Sequence, residues 1–83
     1  MTVKVLYFAS LREQVGTSGE DLDVSPTTVA GLRSLLMARG GAWQSALAQG
    51  KAVRVAVNQE MAQPATPVKS GDEVAFFPPV TGG

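Results

Sequence analysis

The chain has 83 residues, of which 45% are hydrophobic, a size that suits one small domain with its own core. Seven basic and seven acidic residues cancel to a formal net charge of zero, so no excess of positive charge favours nucleic acid. The sequence lacks both cysteine and histidine, which excludes disulfides and removes the commonest side-chain nucleophiles and soft metal ligands. No apolar run approaches the roughly 20 residues of a membrane helix, and the first residues do not resemble a secretory signal.

This composition predicts a cytoplasmic, single-domain protein that binds no metal, cofactor, nucleic acid or membrane and is not an enzyme by itself. The acidic residues agree with this, because they are dispersed along the chain. Two adjacent pairs occur, at residues 20–21 and 72–73, each next to a glycine or serine. Neighbours in an extended chain point apart, so we expect both pairs to be solvated rather than to perform acid–base chemistry.

The first predicted strand covers residues 3–9 (VKVLYFA), which are rich in β-branched and aromatic side chains. Successive side chains of a strand point to opposite faces, and the charge of Lys4 assigns its own face to solvent. The opposite, buried face is then formed by Val3, Val5 and Tyr7. Leu6 and Phe8 share the face of Lys4, so they are expected to be apolar residues in contact with water.

Two short elements are predicted next, followed by the main helix. Residues 10–15 favour one helical turn that ends at Gly16, and residues 21–24 favour a second strand that pairs with the first as a hairpin. Residues 25–28 (SPTT) are typical of a helix start. The apolar stripe of this helix, at i, i+3 and i+7, consists of Val29, Leu32 and Leu36.

The predicted end of the main helix is the glycine pair at residues 40–41, with Arg39 beside the negative end of the helix dipole. Gly31 lies inside this helix, where glycine costs about 1 kcal/mol relative to alanine. Close packing at this position is the explanation that we expect.

The second half is predicted to contain a short helix over residues 42–49 and a strand over 53–57. Two prolines interrupt residues 61–68, which favours a loop or a broken edge segment, and residues 69–72 form a turn. The last strand covers residues 73–77, in which alternation places Val74 and Phe76 towards the core and Ala75 and Phe77 towards solvent. The predicted order is therefore strand, strand, helix, strand, strand.

The chain ends in a segment without bulky side chains at its last two positions. Pro78 and Pro79 stop the last strand and favour a stiff, extended exit, and residues 78–83 could reach about 20 Å. We therefore divide the chain into a folded domain, residues 1–79, and an extended tail. The tail consists of Val80, Thr81, Gly82 and Gly83. Such a tail can enter a narrow channel and present a bare carboxylate, although two final glycines can also be incidental.

Residues 71–83 (GDEVAFFPPVTGG) closely resemble the C-terminus of the small subunits of molybdopterin synthase. Residues 3–9, the following Leu11-Arg12-Glu13 and Gly16, and residues 57–59 (VNQ) are also similar to that family. The resemblance is weakest over residues 40–51 and 61–67. It implies an α+β, ubiquitin-like β-grasp fold, in which a mixed sheet of four to five strands packs on one main helix.

The same resemblance implies a function in molybdenum cofactor synthesis. An E1-like activating enzyme would use ATP to adenylate the carboxylate of Gly83, and a sulfur donor system would convert it to a thiocarboxylate, a C-terminal 1-thioglycine. Val80, Thr81 and Gly82 would then insert into the large subunit of a heterotetrameric synthase, which transfers the sulfur to cyclic pyranopterin monophosphate. The missing cysteine agrees with this: if the chain carries reactive sulfur, no side chain is a thiol that could hold it, and the chain end is left.

In a β-grasp fold the first and last strands are neighbours, which brings their outward apolar residues together. This predicts a partner interface formed by Leu6, Phe8, Ala75, Phe77 and Pro78. The alternative is that Phe8 or Phe77 belongs to the core. At the level of function, the alternatives are a thiamine-type sulfur carrier, a ubiquitin-like protein modifier, and a passive β-grasp interaction module. The residues 76–79 (FFPP) favour the synthase subunit.

Overall fold

The computed structural model describes residues 1–48 and 52–79. Its first two strands, β1 (Thr2–Tyr7) and β2 (Gly19–Asp23), form the predicted antiparallel hairpin, with helix α1 (Ala9–Val15) inserted between them. The predicted facing of β1 is confirmed, because Val3, Val5 and Tyr7 are fully buried. Helix α1 ends at Gly16 as predicted, where φ is 82° and the backbone N–H donates to the Arg12 carbonyl. Glycine adopts this left-handed conformation without steric cost.

Two helices follow: α2 (Val29–Met37) and α3 (Gly41–Leu47). Thr28 caps α2 through its side-chain oxygen, which accepts a hydrogen bond from the backbone N–H of Gly31. The predicted stripe of Val29, Leu32 and Leu36 is buried. A Cβ atom at position 31 would collide with Thr27 Oγ1, so Gly31 permits the close packing that the sequence suggested.

The predicted end of α2 was wrong by two residues. The helix ends at Met37, because tight backbone hydrogen bonds from Arg39 to Leu36 and from Gly40 to Met37 form a turn there. Arg39 was expected at the C-terminal dipole of α2. Its guanidinium instead reaches across to the Glu20 carboxylate on β2.

The C-terminal half supplies strands β4 (Arg54–Val57), β5 (Glu60–Met61), β6 (Pro67–Val68) and β7 (Glu73–Phe77). The main sheet has the order β2-β1-β7-β4-β5, with β1 and β7 parallel and all its other neighbours antiparallel. A second pairing joins β3 (Thr27–Thr28) to β6. The sequence predicted the four long strands but not the two-residue strands β3, β5 and β6.

The core lies between one face of the five-stranded sheet and the helices. From the sheet it takes the inward residues of β1, β4 and β7, and from the helices it takes the α2 stripe together with Ala46 and Leu47 of α3. This arrangement is the predicted α+β, ubiquitin-like β-grasp fold. With nine residues, α2 is the longest helix in residues 1–48 and 52–79, and no helix there could cross a bilayer.

Candidate functional site

The outer face of the sheet carries the residues that the sequence predicted as an interface. The parallel register of β1 and β7 sets Leu6 opposite Ala75, and Phe8 and Phe77 continue the two strands on the same face. Phe8 is 46% exposed, while Leu6, Ala75, Phe77 and Pro78 are partly exposed. The structure therefore brings all of these predicted residues together, and their function as an interface remains a prediction.

The alternative, that Phe77 or Phe8 fills the core, does not agree with the structure. The inward positions of β7 are Val74 and Phe76, and both are completely buried. The Phe76 ring stacks on the Tyr7 ring with 6.3 Å between their centroids. Because neighbours in a strand face opposite sides, the burial of Phe76 directs Phe77 to the outer face.

Two further residues extend this surface, and the sequence did not predict them. Ala56 of β4 pairs with Ala75 on one side and with Met61 of β5 on the other. Ala56 is buried, whereas Met61 is 61% exposed. We use the name apolar patch for the residues Leu6, Phe8, Ala56, Met61, Ala75, Phe77 and Pro78. Phe8 and Met61 are its exposed members, and exposed apolar side chains grouped on one face commonly mark a site of protein association.

The position of Met61 depends on the turn between β4 and β5. Asn58 and Gln59 both have positive φ, at 52° and 68°, as a two-residue hairpin turn requires. The Asn58 side chain fixes this turn to β7, because its amide donates to Asp72 Oδ1 (2.9 Å) and its carbonyl oxygen accepts from the Glu73 backbone N–H (3.0 Å). The hydrogen bond from Asn58 also holds the pKa of the Asp72 carboxyl below its usual value. The sequence signal available for this turn was Asn58 directly after the strand, because asparagine tolerates the positive φ of a two-residue hairpin turn.

The chain leaves the sheet beside the apolar patch. Phe77 is the last residue of β7 and pairs with Arg54 of β4, and Pro78 and Pro79 follow it directly. Val80, Thr81, Gly82 and Gly83 lie outside the described residues, so the extended tail stays a prediction. The described part nevertheless places the start of that segment next to the surface that could bind a partner.

The Glu20 carboxylate has a structural role that the sequence did not suggest. It accepts hydrogen bonds from both terminal nitrogens of Arg39, at 2.8 and 2.9 Å, and from the Tyr7 hydroxyl, at 3.0 Å. Arg39 also lies 4.5 Å from the centre of the Trp43 ring, and Trp43 forms a T-shaped contact with Tyr7. The expectation that Glu20 and Asp21 are a solvated pair was therefore wrong for Glu20.

The charges of this cluster stabilise one another. The hydrogen bond from Arg39 is the main reason why the pKa of Glu20 lies below its usual value. Burial, followed by the hydrogen bond to Glu20, raises the pKa of Tyr7. The cluster links β1 and β2 to the start of α3 on the helix side of the sheet, away from the apolar patch. These contacts give the cluster a structural role, because they connect the sheet to α3.

Comparison with protein families shows a match of residues 5–83 to the ThiS family. The chain is 47% identical over 81 residues to the molybdopterin synthase sulfur carrier subunit of Escherichia coli, a match that covers 98% of this chain and 99% of the relative. It is 43% identical, with the same coverage, to the protein of that name from Haemophilus influenzae.

Among solved structures, the crystal structure of SAMP1 from Haloferax volcanii matches with a TM-score of 0.74 and 29% identity, and the match covers the whole of both chains. A complex of subunits 1 and 2 of the molybdopterin-converting factor from Helicobacter pylori contains a chain that matches with a TM-score of 0.70 and 24% identity, again over both full lengths. At 24% identity, the likeness to the Helicobacter pylori chain shows a common fold alone.

Proposed function

Since the chain belongs to the ThiS family, we propose that it is the sulfur carrier subunit of a molybdopterin synthase, with the carboxylate of Gly83 as the site of sulfur attachment. The observation that carries this proposal is the 47% identity to a subunit of that name along nearly the full length of both proteins. The proposed location is the cytoplasm. In this proposal the chain donates the sulfur and does not catalyse the reaction by itself.

The proposed chemistry takes place at the chain end. An E1-like enzyme transfers AMP from ATP to the Gly83 carboxylate and releases pyrophosphate. A sulfide-level sulfur from the sulfur donor system then bonds to the acyl carbon and displaces AMP, which leaves a thiocarboxylate. Two charged carriers are consumed for each product, because the dithiolene of molybdopterin contains two sulfur atoms. The absence of cysteine from the sequence supports this route, since no side chain could hold the sulfur as a persulfide.

The apolar patch is proposed as the surface that binds the large subunit. Its position supports this, because only Pro79 separates Phe77 and Pro78 from the segment that would enter the partner. The Helicobacter pylori complex supports it further, since a chain of this fold is combined there with a second subunit. The patch holds the carrier while Val80, Thr81 and Gly82 bring Gly83 to the reacting pterin.

The direct test is the intact mass of the protein after incubation with ATP, the activating enzyme and a sulfur donor. Replacement of one oxygen by sulfur should make the product about 16 Da heavier. A variant that lacks Gly83 should remain folded, because the buried residues of the described core end at Phe76. It should gain no sulfur and support no molybdopterin formation, because the proposed site of attachment is removed. Normal molybdopterin formation by that variant would refute the proposal.

A ubiquitin-like protein modifier is the second candidate, and the likeness to SAMP1, a small archaeal modifier protein, favours it. A modifier would form amide bonds between Gly83 and lysine side chains of other proteins. Such conjugates, detected by mass spectrometry in cells that express a tagged chain, would support this candidate.

Co-purification with a thiazole synthase, instead of a pterin-synthesising large subunit, would indicate a thiamine-type carrier.

A further inference from the structure

Neighbouring strands of the main sheet each contribute one outward residue to a row that crosses its outer face. From one edge of the sheet to the other, the row consists of Gly19, Leu6, Ala75, Ala56 and Met61. All five residues are uncharged, so the row is an apolar band. Its central residues are two alanines with longer side chains on both sides, so the centre of the band lies lower than its flanks.

The two alanines form the floor of a shallow depression. Val55 and Val74 face the core, so Ala56 and Ala75, which follow them in β4 and β7, face outward. Ala56 is nevertheless only 8% exposed, and Ala75 is partly exposed. An outward alanine with so little exposure lies beneath the longer side chains of its neighbours. We use the name socket for this floor and its walls, which are Leu6, Phe77 and Met61.

The Leu6 wall leans away from the floor. A Cβ atom at position 19 would lie 2.8 Å from Leu6 Cδ2, so the Leu6 side chain extends over Gly19 of β2. Glycine in the interior of a strand commonly marks such a close approach. The same Cβ atom would also lie 2.8 Å from the Val5 carbonyl oxygen, so Gly19 serves the packing of the hairpin as well. The direction of Leu6 leaves the space above Ala75 open.

The position of the socket relative to the end of the chain indicates what covers it. Ala75 precedes Phe77 by two residues, about 7 Å along the strand. The four residues after Pro79 span at most about 14 Å. In the proposed function the large subunit holds Gly83, so its surface must lie within that short distance of Pro79. A protein bound so close to the end of β7 and against the apolar patch covers the socket at the centre of that patch.

We propose that the socket receives one apolar side chain of the large synthase subunit, and that the small size of Ala56 and Ala75 determines the fit. Apolar walls and an alanine floor offer no partner to a charged or polar group, which would be costly to bury there. Interface anchors typically occupy such central depressions, and the surrounding contacts exclude water. This inference rests on the proposed function, because it takes the large subunit as the partner.

The test is calorimetric binding of the large synthase subunit from the same organism to the full chain and to variants. Ala75→Leu adds apolar surface to the patch but fills the socket. If apolar area alone determined the affinity, this variant would bind as tightly as the unaltered chain or more tightly. We expect it to bind about tenfold more weakly or worse, as loss of a central anchor does.

Two further variants keep the result interpretable. Ser34→Leu adds the same side chain to an exposed position of α2, and it should leave the affinity within about twofold. Ala75→Val fills part of the socket with a residue that strands favour, so it should fold normally and weaken binding by about threefold or more. Urea unfolding identifies the variants that fold, and Ala75→Val decides alone if Ala75→Leu does not. Unchanged or tighter binding of a folded position-75 variant would overturn the inference.

An exchange of two neighbouring side chains separates the shape of the socket from the amount of apolar surface. The double variant Leu6→Ala/Ala75→Leu keeps the composition of the patch but places the leucine on the floor. It should bind more weakly than Leu6→Ala alone, because it loses a wall and also fills the socket. Recovery of normal affinity in the double variant would show that only apolar surface matters and would contradict the inference.

Other occupants of the socket give different results. If Ala75→Leu weakens binding of the full chain but not of a chain that lacks residues 80–83, the substitution acts through the tail and the inference is wrong. If it weakens binding only to the adenylating enzyme, the partner has been misassigned and the inference is wrong. Failure of the unaltered chain to bind the large subunit would refute the proposed function as well, so the two proposals can fail separately.

Discussion

Phe76 and Phe77 are adjacent and chemically identical, but they lie in different environments. Phe76 is completely buried and stacks on Tyr7, whereas Phe77 is partly exposed on the outer face beside Arg54. The difference follows from the alternation of a single strand. It provides a matched pair of substitutions in which one residue serves as the control for the other.

We expect Phe76→Ala to lower the free energy of unfolding by roughly 3–5 kcal/mol, because it leaves a cavity in the core. Phe77→Ala should cost less stability than Phe76→Ala, about 1–2 kcal/mol, since its ring is only partly buried on the outer face. It should instead weaken binding to the large subunit by about 2 kcal/mol or more, as aromatic anchors of interfaces do. Urea unfolding and calorimetric binding of both variants measure these effects. The opposite pattern would show that the patch is not the docking surface.

A second prediction at the residue scale concerns the pH dependence of stability at Glu20. The folded state lowers the pKa of this carboxyl from its ordinary value of 4.5, mainly through the Arg39 hydrogen bond. Its stabilising contribution is therefore complete above the unfolded pKa and is lost as the pH falls through the lower, folded pKa. Glu20→Gln should reduce the free energy of unfolding by about 1 kcal/mol at pH 7, and this difference should narrow in acid.

The measurement for Glu20 is urea unfolding from pH 7 to pH 3. Asp21→Asn is the control, because it removes the same charge at the neighbouring exposed residue and should change stability by less than about 0.5 kcal/mol. A difference between Glu20→Gln and the unaltered chain that stays constant down to pH 3 would contradict the assignment.

At the scale of the elements, helix α2 contains Gly31, a residue with a low intrinsic preference for helices. Alanine is favoured over glycine inside a helix by about 1 kcal/mol, but a Cβ atom at position 31 would collide with Thr27 Oγ1. We therefore expect Gly31→Ala to destabilise the domain by about 1 kcal/mol or more, within the range for overpacking. In a Thr27→Ala background the collision is absent, and the same substitution should be neutral or stabilising.

The double-mutant cycle of these two substitutions, measured by thermal unfolding, isolates the contact between the side chains. A stabilising effect of Gly31→Ala in the unaltered chain would show that Thr27 rotates away freely and that close packing does not explain the glycine.

The elements that the sequence predicted well are those whose pattern is local. Lys4 fixed the face of β1, and the valine and phenylalanine alternation fixed that of β7, so most of the apolar patch could be predicted. Met61 could not, because β5 has only two residues and shows no alternation. Its place on the outer face depends on pairing with Ala56, a contact between strands. Glu20 and Arg39 were missed for a similar reason, since 19 positions separate them in the sequence.

At the scale of the whole molecule, the described core does not depend on the C-terminal segment. Its buried residues run from Val3 to Phe76, and the residues of the apolar patch end at Pro78. In the proposed function, stability and docking therefore belong to residues 1–79, whereas sulfur chemistry belongs to Gly83. Removal of the residues after Pro79 should therefore abolish the sulfur chemistry and leave stability and docking intact.

A chain that ends at Pro79 should unfold at the same urea concentration as the full chain, because no residue of the described core is removed. It should still bind the large subunit through the apolar patch, but it can carry no sulfur. Added in excess to a synthase reaction with the thiocarboxylated full chain, it should therefore inhibit molybdopterin formation by competition. The same truncated chain with Phe77→Ala should inhibit much less, since it has lost the aromatic anchor. If the truncated chain folds normally and does not compete, most of the binding free energy comes from residues 80–83, and the division of labour between patch and tail is wrong.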